Sequence, residues 1–402
     1  MNNIPVSDNL SSRNKKLGVL VILLLLFSAF ASLYSEELNR IALYGALPCA
    51  FMFSVLMNNG IQLATKYTKF IIIMYVWLAC TCLWALYPDA AAFEMHAVLG
   101  CIILIFIMNA SARYRKLIPW LYIIYIVWYI GAWMYANTNG LIMLDVSNEY
   151  DRMNDAKLNA NTMAYFTFYA TFITYILGEI VNVAFLRRII KVIFIFAIPL
   201  SFFVAIFTAS RQVLLIQIPL ILFLLYNRYL HKTKIIYKVV FIASAIVAVC
   251  AFLSKAQDMY DDSYLKVRNE VSIKDDVRHK LMIDGINVGF DNFFKGVGAG
   301  NYVRVSFNKH FSHNTYVELL ANTGIIGLSL YIYVLLLFIS TQWKRYKETK
   351  DKMLLLFCLF GVIYAIDNFF YVFYIDCWLI SFFTLVSTHS ELYYKEQYRI
   401  GS

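Results

Sequence analysis

Twelve apolar runs of 12 to 23 residues recur along this chain, divided by polar breaks, and no other feature limits its fold as much. They lie near 17–35, 41–57, 70–87, 97–110, 117–136, 163–185, 192–209, 213–226, 235–254, 325–343, 353–374 and 377–388. A bilayer is crossed by roughly 17 to 25 apolar residues in a helix. Hydrocarbon offers no partner to exposed N–H and C=O groups, so each run should be helical. The composition agrees: 61% of residues are hydrophobic and 15% charged, against about 45–50% and 25% in soluble domains. A soluble multi-domain enzyme is thereby excluded.

The net charge of +10 would suggest a nucleic-acid partner in a soluble protein. Here the location of the charges argues otherwise. Alternate breaks carry Arg13, Lys15 and Lys16; Lys66 and Lys69; Arg113, Arg115 and Lys116; Arg187, Arg188 and Lys191; Arg228, Lys232 and Lys234; Lys344, Arg345, Lys347, Lys350 and Lys352; and Lys395 with Arg399. Together these are 21 of the 35 Lys and Arg residues. The intervening short breaks are acidic or nearly neutral, so the basic side is read as cytoplasmic and holds both termini. Lys15-Lys16, an apolar run and Ala29-Phe30-Ala31 imitate a secretory signal; the run is read as a retained first span. The seven cysteines all lie in or beside apolar runs, which implies neither a disulfide framework nor a zinc site.

The expected fold is therefore an all-α polytopic membrane protein with about 12 transmembrane helices and a long external, periplasmic loop containing amphipathic helices. Residues 1–254 would hold helices 1–9 with an external loop near 137–162. Residues 255–324 would form the large external catalytic loop, and 325–402 helices 10–12 with a cytoplasmic tail. The segment 255–324 carries nine Lys and Arg residues on the side where the rule disfavours them. Long loops of this kind usually carry function.

Within that loop, Met282, Ile286, Phe290 and Phe293 recur at helical spacing. The stripe predicts an amphipathic helix on the membrane surface or against the bundle, with Arg278 one turn earlier on the same line. Gly296-Val297-Gly298-Ala299-Gly300-Asn301 follows without the strand a dinucleotide fingerprint needs. It predicts a tight turn, one able to offer N–H groups to an anion. Thr315-x-x-Glu318 has the form of a capping box, placing His313 just before a helix that enters the membrane. The positive end of that helix would favour neutral imidazole, a usable base. His310-x-x-His313 lacks a third ligand at a metal-site spacing, and no metal or other cofactor is expected.

Thr208 to Gln212 is the whole external break between two spans, so Arg211 is expected at the outer bilayer surface, where an unpaired guanidinium is costly. Glu179 and Asp367 fall inside predicted spans and are further candidates for buried partners or substrate contacts. Arginine clamps a diphosphate bidentately and can neutralise a departing pyrophosphate. A positioned histidine can take the proton of an attacking hydroxyl. Arg211, Arg278 and His313 thus suffice in kind for moving a sugar from a lipid diphosphate to an alcohol.

The ordered motifs resemble the superfamily of O-antigen ligases and O-antigen or capsule polymerases, bacterial envelope glycosyltransferases. His313-Asn314 is followed by nine residues and Gly324-Ile325-Ile326-Gly327. Arg278, a following amphipathic helix and the glycine turn ending at Asn301 are similar to the family's upstream element. Thr208 to Arg211 and Asn159-Ala160-Asn161-Thr162-Met163-Ala164 are similar to two span starts, while the first 130 residues match in hydropathy alone. The resemblance implies an undecaprenyl-diphosphate-linked oligosaccharide as donor, with Arg211 and Arg278 on its pyrophosphate. It implies His313 as base, or as the group orienting the acceptor, in an inverting, metal-independent transfer at the outer face of the bacterial inner membrane. Asn314, Asn301, Asn161 and Glu318 become candidates for substrate contact or structural support. The acceptor is another lipid-linked glycan for a polymerase or lipid A core for a ligase, with membrane lipids as further partners and no nucleic acid. The aromatic-rich spans and long loop lean toward a polymerase. A lipid-linked oligosaccharide flippase is the rival of another class, but it should show internal repeats and paired midplane charges, which the sequence lacks. A lipid-phosphate-binding scaffold without catalysis would tolerate loss of His313.

Overall fold

The computed structural model describes residues 12–398 apart from 62, 64, 143–159, 232, 241, 245, 246, 248–260, 262–265 and 267–276. Among these residues the chain is helical and forms no strand. The principal helices are α1 (Ser12–Tyr34), α2 (Glu36–Met57), α3 (Lys66–Trp84), α4 (Pro88–Ser111), α5 (Arg115–Thr138), α6 (Ala160–Ile180), α7 (Ala184–Ile195), α8 (Ala197–Thr208), α9 (Val213–Leu230), α10 (Val277–Asp291), α11 (Thr315–Thr349), α12 (Lys352–Asp367) and α13 (Cys377–Tyr398). Of the described helices, seven are long and apolar enough to cross a membrane, eight if the bent pair α7 and α8 makes one span. That is fewer than the twelve runs, for local reasons.

The run 192–209 is interrupted by a 46° bend between α7 and α8. Pro199 explains the break, because it has no N–H for the carbonyl of Ile195. Arg187, Arg188 and Lys191 then lie on helical α7 and not in a loop. The run 353–374 stops as a helix at Asp367, since residues 368–373 give their backbone groups to Thr315: its N–H donates to the Asn368 and Tyr371 carbonyls, and its hydroxyl accepts from Phe373 N–H at 2.8 Å. Helix α6 spans 21 residues but is rich in Thr, Tyr and Asn, too polar on average to rank with the seven. Most of the loop 137–162 and residues 255–276, apart from 261 and 266, lie outside the described residues, as do parts of the run 235–254.

The chain divides into two compact units. One comprises Met1–Ser28, Arg40–Leu121 and Ile273–Ser402, the other Ala29–Asn39 and Tyr122–Ser272. In the first, α11 packs on α3, α10 and α12, and α4 packs on α2 and α13. Close approach is set by glycines, a membrane-helix device: Gly361 abuts Phe338 and Ile339, and Gly100 abuts Cys377. The two ends of this unit differ in chemistry. At one, Lys66 reaches Thr341, Arg345 pairs with Glu391 at 2.7 Å and Arg115 with Glu396 at 3.6 Å. At the other end of α3, Trp84 donates to the Lys295 carbonyl, beside the glycine turn.

In the second unit, α6 is buried on nearly every side. Gln217 of α9 crosses to it, donating to Thr171 Oγ1 at 2.6 Å and to the Thr167 carbonyl at 3.2 Å. Trp128 lies against Phe166 with ring centroids 4.0 Å apart. Ala164, Val204, Ala205 and Val213 close the apolar centre.

Candidate active site

Helix α11 is broken at Gly324, whose φ of 68° and ψ of −170° are not helical. A break inside a helix frees carbonyls that must find other partners when buried. Here Ile325 N–H turns to the Phe293 carbonyl at 2.7 Å. The released carbonyls of Ala321, Asn322 and Thr323 accept from Val297 N–H at 2.8 Å, Gly298 N–H at 3.0 Å and Trp77 Nε1 at 3.0 Å. The glycine turn is thus pinned onto the break. Gly296 is in the left-handed region, φ 68°, and a Cβ there would collide with the Asn322 carbonyl.

This accounting corrects the expectation of an anion-binding turn. Val297 and Gly298 N–H groups are spent on α11, and Ala299 N–H donates to Thr81 Oγ1 at 3.0 Å. Asn301 is fully buried; its side chain accepts from Tyr87 N–H and donates to the carbonyls of Tyr87 and Ala299. It is a structural tie.

Helix α10 docks on α11 through Leu281, Gly285 and Gly289, the two glycines meeting Val317 and Leu320. The stripe read from sequence is one residue out of phase: Met282 and Ile286 are half-buried and Phe290 is exposed. Glycine carries no hydropathic signal, so the packing face was invisible to an apolar pattern. Arg278 lies three residues before Leu281, on the first turn of α10, half-buried. The Tyr302 hydroxyl donates to the Leu281 carbonyl at 2.7 Å. Burial, with the nearby Asp284 and Glu318 carboxylates, pushes the Tyr302 phenol above its usual range.

His313 stands immediately before α11, half-buried, with φ 54°. The helix cap is Asn314 and not Thr315: its Oδ1 accepts from Tyr316 N–H at 2.9 Å and Val317 N–H at 3.1 Å. The capping-box reading was therefore one residue late, because the Thr315 hydroxyl is engaged by residues 371 and 373. Glu318 bonds elsewhere too. Buried on the first turn, it accepts the Ser312 N–H at 2.8 Å and hydroxyl at 2.6 Å on one oxygen. Asn314 Nδ2 touches Met282 Sδ at 3.9 Å, which brings the loop within about one helical turn of Arg278.

A buried polar chain near this end had no sequence signal. Tyr374 donates to Glu94 Oε1 at 2.9 Å and accepts from Asn322 Nδ2 at 3.2 Å, while Asn322 Oδ1 receives Tyr302 N–H at 2.8 Å. Asp367, at the end of α12, is also buried, and its Oδ2 has no hydrogen-bond partner among the described residues.

Arg211 and Asn161 belong to the second unit. Thr208 ends α8, Ala209 takes a left-handed C-cap with φ 46°, and the helix resumes at Arg211, which is half-buried. Asn161 is buried in the first turn of α6. Glu179 is not a buried contact: it is exposed and pairs at 3.0 Å with Arg228, whose guanidinium lies 3.9 Å over Tyr175.

The fold and this buttressed histidine loop define an all-helical, multi-pass membrane protein with a polar centre at one end of its first unit. Residues 195–332, about a third of the chain, match the family described as O-antigen ligase, and the likeness is to that stretch. The matched stretch contains Arg211, Arg278, Asn301, His313, Asn314 and Glu318, and excludes Asn161. A search of curated proteins found no match.

Proposed function

We propose that this protein transfers a glycan from a polyprenyl diphosphate to an acceptor hydroxyl at the outer face of the inner membrane, acting as a surface-polysaccharide repeat-unit polymerase. The observation that carries the reading is His313, held half-buried at the head of α11 beside the helix bearing Arg278, within the family-matched stretch. In the reaction His313 takes the proton of the acceptor hydroxyl, whose oxygen attacks the anomeric carbon. The bond from that carbon to phosphate oxygen breaks with inversion, and the polyprenyl diphosphate leaves. Arg278 neutralises the charge growing on the leaving group. Neither the role of His313 nor that of Arg278 requires a metal.

Orientation rests on charge. The basic end of the first unit, with Lys66, Arg115 and Arg345, lies at the far end of α3 from the glycine turn, and the positive-inside rule makes it cytoplasmic. Twelve crossings follow if α6, α12, α13 and the run 235–254 join the eight apolar candidates. A ligase acting on lipid A core is the second reading, favoured by the similarity of residues 195–332 to the O-antigen ligase family.

The test is incubation of purified protein with undecaprenyl-diphosphate-linked repeat units, the glycans being resolved on a gel. A ladder without added core establishes the polymerase; product only with lipid A core establishes the ligase. No product in either case sinks the transferase reading.

A further inference from the structure

We propose that Glu318 and Ser312 form a latch that positions His313, acting through the backbone of the loop and not by touching substrate. The inference rests on the reading of His313 as the base. His313 has φ 54°, a conformation that non-glycine residues rarely adopt and that costs about 1 kcal/mol or more. Its surroundings must therefore impose it.

The imposition comes from both neighbours. Ser312 is buried and gives its N–H to one oxygen of Glu318 at 2.8 Å; its hydroxyl makes its shorter contact, 2.6 Å, to the same oxygen and a longer one, 2.9 Å, to the Asn314 carbonyl. Asn314 is buried too; its N–H donates to Ser312 Oγ at 3.2 Å while its side chain caps α11. The residue between them is held on both sides by these bonds while it takes the left-handed turn. Its ring, attached to a half-buried residue, is thereby aimed by a carboxylate on the first turn of a rigid helix.

Glu318 is an expensive choice for a mere helix-start contact. It is buried, and its second oxygen has no hydrogen-bond partner among the described residues. A buried carboxylate half-satisfied costs stability that a serine or apolar residue would not. A glutamine oxygen could accept both donors, but its NH2 would then stand where the partnerless oxygen is and bury two unsatisfied donors, so Glu318→Gln strains the latch.

The test uses the full chain in lipid nanodiscs with lipid-linked repeat units as donor and acceptor, comparing wild type, Glu318→Gln, Ser312→Ala, His313→Ala and the His313→Ala/Glu318→Gln double variant. The latch predicts that Glu318→Gln and Ser312→Ala lower kcat about 10- to 100-fold, the size expected of a misplaced group, with KM for the donor nearly unchanged. Added to His313→Ala, Glu318→Gln should cost nothing more. A kcat within twofold of wild type in both single variants, or an equal further loss in the double variant, overturns the latch. In parallel, the rate at which diethyl pyrocarbonate modifies His313, read by peptide mass spectrometry, should change at least threefold in Glu318→Gln; an unchanged rate also overturns it. If His313→Ala keeps full activity, the base reading falls, and the latch is then decided by the modification rate alone.

Discussion

The glycine turn at 296–301 and the histidine loop at 312–314 lie at the same end of α11 and spend their polar groups in opposite ways. The turn directs the Val297 and Gly298 N–H groups inward, onto carbonyls that the break at Gly324 left open. The loop uses its flanking residues inward and leaves one side chain half-exposed. Both contain left-handed residues, but in the turn these are glycines and in the loop a histidine. A positive φ costs a glycine little and a histidine about 1 kcal/mol or more, so only the loop holds a strained backbone. What separates the two is that the strained residue of the loop carries a titratable side chain.

The largest expected effect tests the loop. His313→Ala should lower kcat by about 10²- to 10⁴-fold, the contribution of a positioned general base, while thermal stability in detergent stays near wild type. A loss of folding in place of activity would mean that loop and turn do the same work. Next comes the turn. Gly296→Ala forces a Cβ against the Asn322 carbonyl at a positive φ, at a cost of roughly 3 kcal/mol. A drop in unfolding temperature with normal activity per folded molecule is the expected result, and unaltered stability would break the comparison from the other side.

Arg278→Lys keeps the charge on α10 but loses the planar fork. We expect activity to fall about 10- to 100-fold, mostly in kcat; turnover close to wild type would count against a bidentate phosphate contact. The smallest effect concerns Asp376, which caps α13 by accepting from Trp378 and Leu379 N–H at 3.1 Å at the end of the segment that holds Thr315. Burial pushes its carboxyl up to about 6, partly offset by those two N–H groups, against about 3.9 when exposed. A raised value means that its stabilising contribution is complete below about pH 3.9 and disappears as pH rises through 6. Melting curves of wild type should therefore lose ground to Asp376→Asn between pH 4 and 7, and parallel curves would contradict the assignment.

Much of the fold was legible because hydropathy is a local property. Runs near 17–35, 97–110 and 117–136 correspond to α1, α4 and α5, extended by their polar ends. The number of spans was less legible, for physical reasons: Pro199 bends one run, and α6 is too rich in polar side chains for hydropathy alone to mark it as a span. At the site, the short span from Ser312 to Glu318 announced a helix start, but a pattern of residue types could not say whether Asn314 or Thr315 caps it. That depended on Tyr371 and Phe373 claiming the threonine.

The sequence by itself determined that this is a chain of apolar helices with many of its basic residues grouped between the apolar runs, and that His313 precedes one of those helices. Spacing and hydropathy suffice for that, since both act over a few turns. Only the tertiary structure decided that glycines and not phenylalanines make the docking face of α10, that the N–H groups of Val297, Gly298 and Ala299 are spent, and that Glu318 holds Ser312. It also joined Tyr374 to Glu94 across 280 positions. Hydrogen bonds of buried groups are settled by whichever partner the packing delivers, and that choice is made between segments far apart in the chain.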